Sequence, residues 1–129
     1  MVNPIRILVV EDEVLTAMMM QSQLKKAGYS ISGHVTTGEN AILSAAGDPP
    51  DLILMDIRLA GKIDGVEAAA AINAEREIPV IFVTGYDEKS VRERAETLKP
   101  LAFMVKPVQM RELKAKIDGH FRQGDQAVE

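Results

Sequence analysis

Leu52-Ile53-Leu54-Met55 is the stretch that most narrows the folds open to this chain. Four large apolar residues follow one another, with Pro49-Pro50 before them and Gly61 in the loop beyond. A short apolar run closed by turn residues reads as a strand buried on both faces, the kind found in parallel sheets. Asp56 ends it. In open α/β sheets the C-terminal ends of the strands form the rim where sites are built, so an aspartate there is either a loop cap or a working group.

Four more units of the same kind surround it. Ile5 to Val10 is a first strand ending in Glu11-Asp12-Glu13, followed by a helix with Val14, Ala17, Met20, Leu24 and Ala27 at helical spacing and Gly28 as its stop. Met18, Met19 and Met20 cannot share one face and read as core filler and flank. Tyr29 to Val35 alternates loosely as a second strand, and Thr36-Thr37-Gly38-Glu39 offers a Thr-x-x-Glu capping box to a helix carrying Ala41, Ile42, Ala45 and Ala46. Alanine-rich Gly65 to Glu75 is a third helix, and Ile78 to Val83 a fourth strand closed by Thr84-Gly85. Asp87 or Ser90 can start a fourth helix with Val91, Ala95 and Leu98 on one side. Leu101 to Val105 is a fifth strand ending in Lys106-Pro107, and Val108 to Phe121 a last helix.

The order βαβαβαβαβα predicts an α/β domain of flavodoxin-like (βα)5 type, a doubly wound parallel sheet with strand order 2-1-3-4-5. At 129 residues the chain makes one domain with a real core, placed at residues 1–121, with 122–129 expected to be a flexible C-terminal tail. A net charge of −4 suggests no nucleic-acid footprint. Cysteine is absent, which removes disulfide and thiolate chemistry. No apolar run approaches the roughly 20 residues that span a bilayer, and the N-terminus lacks a signal-peptide core, so the expected compartment is the cytoplasm.

Parallel strands point their C-termini to one edge. That edge should therefore gather Glu11 and Asp12, Asp56, Thr84 and Lys106 from four different strands. Clustered carboxylates repel one another and favour a hard divalent cation, and magnesium suits because it keeps coordination sites open for water and phosphate. A cation, an ammonium and a hydroxyl are what a phosphoryl group in transfer requires. Asp56 is then the nucleophile, forming an acyl phosphate.

Val9-Val10-Glu11-Asp12-Glu13, Leu54-Met55-Asp56, Asp64-Gly65, Thr84-Gly85 and Lys106-Pro107 stand in the order and spacing of a known family. Over about residues 5–121 the chain closely resembles the receiver domain of two-component response regulators. The resemblance implies phosphorylation of Asp56 by a histidine kinase or a histidine phosphotransfer protein. It implies magnesium held by Glu11, Asp12, Asp56 and the backbone carbonyl of Arg58. Thr84, the Gly85 amide and Lys106 would engage the phosphoryl oxygens, and the Lys106-Pro107 peptide would be cis. Phe103 takes the place of the switch aromatic that follows Thr84 inward. The motion biases a protein-binding face made by the fourth helix, fifth strand and fifth helix. Phenylalanine lacks the hydroxyl that a tyrosine would bring to such a switch. Arg58 and Tyr86 occupy positions that tune phosphate lifetime in the family, and their bulk predicts a long-lived phosphate. Phe82-Val83-Thr84-Gly85-Tyr86 also partly resembles the F-A-T-G-Y motif of receivers in alphaproteobacterial general stress signalling.

The resemblance implies a signalling domain that is not an enzyme beyond self-phosphorylation and autodephosphorylation, a monomer or phosphorylation-dependent dimer, with no direct DNA or membrane contact. Its output would be contact with a downstream protein, a phosphate-sink role, or an effector domain beyond this sequence. A haloacid-dehalogenase-like magnesium phosphatase is the enzymatic rival. It needs a second acid two residues after the nucleophile, where this chain has Arg58. A flavin carrier on the same fold would want a Ser/Thr/Gly-rich phosphate loop in place of Glu11-Asp12-Glu13. His34 reads as an exposed turn residue, His120 as a helix C-terminal residue favoured by the dipole, and Arg92 to Glu96 as a solvated charged face.

Overall fold

The structure, a computed structural model, describes residues 3–128, with side chains as far as Phe121. Strands and helices alternate: β1 (Arg6–Val10), α1 (Val14–Lys26), β2 (Ser30–Val35), α2 (Gly38–Gly47), β3 (Leu52–Asp56), α3 (Gly65–Glu75), β4 (Val80–Thr84), α4 (Lys89–Glu96), β5 (Ala102–Val105) and α5 (Met110–Val128). The strands form one parallel sheet in the order β2-β1-β3-β4-β5. The flavodoxin-like expectation is met, and every strand end arrives at the same edge.

Alternation along the strands divides the core into two layers. Leu8, Val10, Ile53, Met55, Val80 and Phe82 face Ala41 and Ala45 of α2, Val66 and Ile72 of α3 and Ala95 of α4. Ile7, Val9, Leu52, Leu54, Ile81 and Val83 face Leu24 of α1 and Leu113 and Ile117 of α5. β3 and β4 are buried at every position, as strands covered on both faces must be. No helix among the described residues is long and apolar enough to cross a membrane.

Several local expectations are corrected. Thr37, not Thr36, caps α2, accepting the Asn40 N–H at 3.1 Å, while Glu39 leaves the helix end to accept the Lys62 N–H at 3.1 Å. The capping box forms instead at α3, where Asp64 and Glu67 bond each other's main chain. Helix α4 begins at Lys89 after Glu88, which makes no side-chain cap bond. The methionine triplet, by contrast, divides as expected into filler and flank, with Met20 packed on the core. Met18 and Met19 are 59% and 63% exposed, because α1 turns its Ala17–Met20–Leu24 stripe to the sheet. Helix α5 continues to Val128, past the Phe121 expected as its end. The expected tail at residues 122–129 falls on side chains, and on Glu129, outside the described residues.

Candidate functional site

Four strand ends meet at the C-terminal rim. Lys106, from just beyond β5, reaches back so that its Nζ lies 2.5 Å from Glu11 Oε1 and 2.9 Å from Asp56 Oδ2. Glu11, Asp56 and Thr84 are only 5%, 6% and 1% exposed, so these are polar groups held in the protein rather than surface charges. One ligand oxygen from each of Glu11, Asp12 and Asp56 can lie within 4.8 Å of the others. An all-oxygen, all-anionic set of that span fits a hard divalent cation that retains several waters. The Lys106–Pro107 peptide is cis.

The electrostatics follow from crowding. Burial, joined by the charge of Glu11 and opposed by Lys106, pushes the Asp56 carboxyl up to about 6. Burial also acts to raise Glu11, yet the Lys106 ammonium and the Glu13 N–H, 3.0 Å from Glu11 Oε2, bring it below the usual carboxylate range. Burial works against the charge on Lys106, but its two carboxylate partners hold it above the ordinary lysine value. Adjacent carboxylates thus differ in character, Glu11 firmly ionised and Asp56 reluctant to be.

Loops around the rim are tied to one another. The Thr84 hydroxyl accepts the Tyr86 N–H at 3.2 Å. Arg58 lays its guanidinium over the Tyr86 ring, 4.2 Å from the centroid, and pairs with Glu88. Arg94 of α4 donates to both oxygens of Asp64, at 3.0 and 3.4 Å. Phe103 on β5 carries the Arg92 guanidinium 4.6 Å above its ring. A cleft of about 590 Å³ opens between α1 and the loop after β5, with Asp56, Lys106 and Gly85 at its polar end and Met19, Pro107 and Val108 among its apolar walls.

Glu11, Asp12, Asp56, Thr84, Gly85 and Lys106 therefore come together, while Arg58 and Tyr86 form a flank and Phe103 stands one strand away with Arg92. Three further contributors were given no role at the rim by the sequence, Gly65 having stood only as part of the Asp64-Gly65 mark. Gly65 is one: a Cβ there would lie 2.1 Å from the Asp56 carbonyl oxygen, so only glycine lets α3 start against the end of β3. Glu88 and Arg94 are the others: Glu88 pairs with Arg58, and Arg94, in a run expected as a solvated face, reaches Asp64. His34 is corrected as well. It lies half-buried in β2, with Nε2 2.8 Å from the Glu11 carbonyl oxygen.

A five-stranded parallel α/β sheet with buried acids, a hydroxyl and a lysine gathered at its rim has the topology and rim of a receiver-like α/β domain. Residues 7–118 match the response regulator receiver domain family, and the chain belongs to it. It is 34% identical over 110 residues to the transcriptional regulatory protein PdtaR of Mycobacterium tuberculosis, which covers 85% of this chain and 53% of that protein. The chain thus spans about half the length of that relative. In structure it resembles the signal receiver domain of a modulated diguanylate cyclase from Desulfovibrio desulfuricans G20, with TM-score 0.88, 33% identity, and coverage of 97% of this chain and 99% of that one. A CheX–CheY–BeF3–Mg complex from Borrelia burgdorferi shares the fold at TM-score 0.82 and 21% identity, over 92% and 90% of the two chains.

Proposed function

We propose that the chain accepts a phosphoryl group on Asp56 from a phosphohistidine of a histidine kinase or phosphotransfer protein. The supporting observation is the Lys106 ammonium, 2.9 Å from the Asp56 carboxylate, beside the Glu11 and Asp12 oxygens. Attack by an Asp56 oxygen on phosphorus forms the acyl phosphate and breaks the P–N bond, and the departing imidazole takes its proton from solvent. Lys106 can follow the new group by exchanging one carboxylate oxygen for a phosphoryl oxygen. Thr84 and the Gly85 amide would bond the others. Glu11, Asp12, Asp56 and the Arg58 carbonyl would hold magnesium, which supplies neutralisation of the charge spread over the phosphoryl oxygens.

Thr84 would donate its O–H to a phosphoryl oxygen, and turning inward to reach it would draw the hydroxyl away from the Tyr86 N–H, from which it now accepts. That exchange would start the switch, freeing space for Phe103 and altering the α4–β5–α5 face that meets a downstream protein. Val14, Leu15, Met18 and Met19 give α1 an exposed apolar stripe beside the cleft, suited to the helical carrier of a phosphohistidine. The Arg58–Tyr86 stack and Arg58–Glu88 pair flank the acceptor and would hinder in-line water, giving a long-lived phosphate. A dephosphorylation half-life of seconds contradicts that part of the reading. Phosphatase action has no support at Arg58, whose side chain is a cation already engaged by Glu88 and Tyr86.

Incubation with acetyl phosphate and magnesium tests the assignment. Wild-type protein should gain acid-labile, hydroxylamine-labile phosphate, and Asp56→Asn should gain none. Equal labelling of the variant removes Asp56 from its role.

A further inference from the structure

We propose that His34 is a positioning residue for the acidic pair, setting the direction in which the Glu11–Asp12 peptide leaves β1. The proposal rests on the reading of Glu11 and Asp12 as cation ligands. Both main-chain groups of Glu11 are held by the last two residues of β2: its N–H donates to the Val35 carbonyl at 3.0 Å, and its carbonyl accepts from His34 Nε2 at 2.8 Å. A carbonyl can only accept, so Nε2 carries a proton in this bond.

The first of these bonds merely continues the ladder. The second is unusual, because β2 is an edge strand and the chain turns away from it at Glu11. In register, His34 stands opposite Val9, two positions before Glu11. At about 3.3 Å of rise per residue the gap along the strand is about 6.6 Å. A side chain of imidazole length with a terminal donor spans it. Serine or threonine would fall short, and an apolar residue would leave the carbonyl to water.

Glu11 is thereby fixed at three places: amide, carbonyl, and a carboxylate shared between Lys106 and the Glu13 N–H. Asp12 has no such side-chain anchor among the described bonds. Its carboxylate is aimed by the peptide that precedes it, and the plane of that peptide is what the His34 bond restrains. Groups that orient a ligand without touching the cation typically account for 10- to 100-fold in metal affinity.

Magnesium binding to the unphosphorylated full chain, followed by calorimetry and by the amide resonances of Asp12 and Glu13, provides the test. His34→Phe keeps a planar ring and removes the donor, whereas His34→Gln keeps an N–H donor at similar reach. His34→Phe should weaken magnesium about tenfold and shift the Asp12 amide before metal is added. His34→Gln should stay within about twofold of wild type, whatever either change does to the melting temperature. His34→Phe binding magnesium as tightly as wild type, or His34→Gln weakening it as much as His34→Phe, overturns the positioning role. Failure of the wild-type chain itself to bind magnesium overturns the cation reading beneath it, so the two failures are told apart.

Discussion

Asp56 has an acid on one side and an ammonium on the other, and its burial leaves the carboxyl near 6 instead of 3.8. Below the lower value both folded and unfolded chains hold the proton, and the group costs nothing. As pH rises through about 6 the folded protein must ionise a buried carboxyl, and that contribution to stability is lost. Asp56→Asn removes the titration. In chelator the variant should be the more stable protein at pH 7.5, by on the order of 1 kcal/mol once screening at the open mouth is allowed for. The gap should close by pH 4, and denaturant midpoints measured across the range would show it; a gap that widens on acidification contradicts the sign. Gly65 makes a second residue-scale prediction. Gly65→Ala drives a methyl into the Asp56 carbonyl, so stability should fall by about 1–3 kcal/mol and acetyl-phosphate labelling should drop with it.

Helix α4 is held differently from its neighbours. Only Ala95 is buried among its residues, with Val91 packed beside it, whereas α3 buries Val66, Ala68, Ala69 and Ile72. Its other attachments are ionic or stacked: Arg94 to Asp64, Arg92 to Phe103 and Asp87, and Glu88 at its N-cap to Arg58. Ion pairs this exposed contribute about 0–1 kcal/mol each and weaken with salt. Amides of α4 should therefore exchange faster than those of α3, and faster again in 1 M salt or in Arg94→Ala, as hydrogen-exchange mass spectrometry would record. Salt-independent exchange with α3-like protection would show that the apolar contacts suffice. An element fastened at its rim by charges would suit the rearrangement proposed to follow from Thr84.

For the molecule as a whole, a bound cation should add to stability by mass action. Magnesium at 100 times its dissociation constant should stabilise the wild-type chain by about 2.7 kcal/mol, and Asp12→Asn should erase most of the shift in melting temperature. Strand ends were legible in the sequence because each apolar run stops at a polar residue, and parallel order then brings those residues together without any knowledge of their contacts. Glu11, Asp56, Thr84 and Lys106 were found in this way. Glu88, Arg94 and the working side of His34 were not, because their partners lie 23 to 30 residues away across loops that have no periodicity to read. The Thr36 capping box failed for a related reason: Glu39 had a better acceptor role at the Lys62 amide than at its own helix end.

Lys106 joins Glu11 across 95 positions and Asp56 across 50. A polypeptide emerging from the ribosome carries both acids, Glu11 and Asp56, well before the ammonium that completes their neighbourhood. The rim is thus completed only after β5 has been made and has docked beside β4.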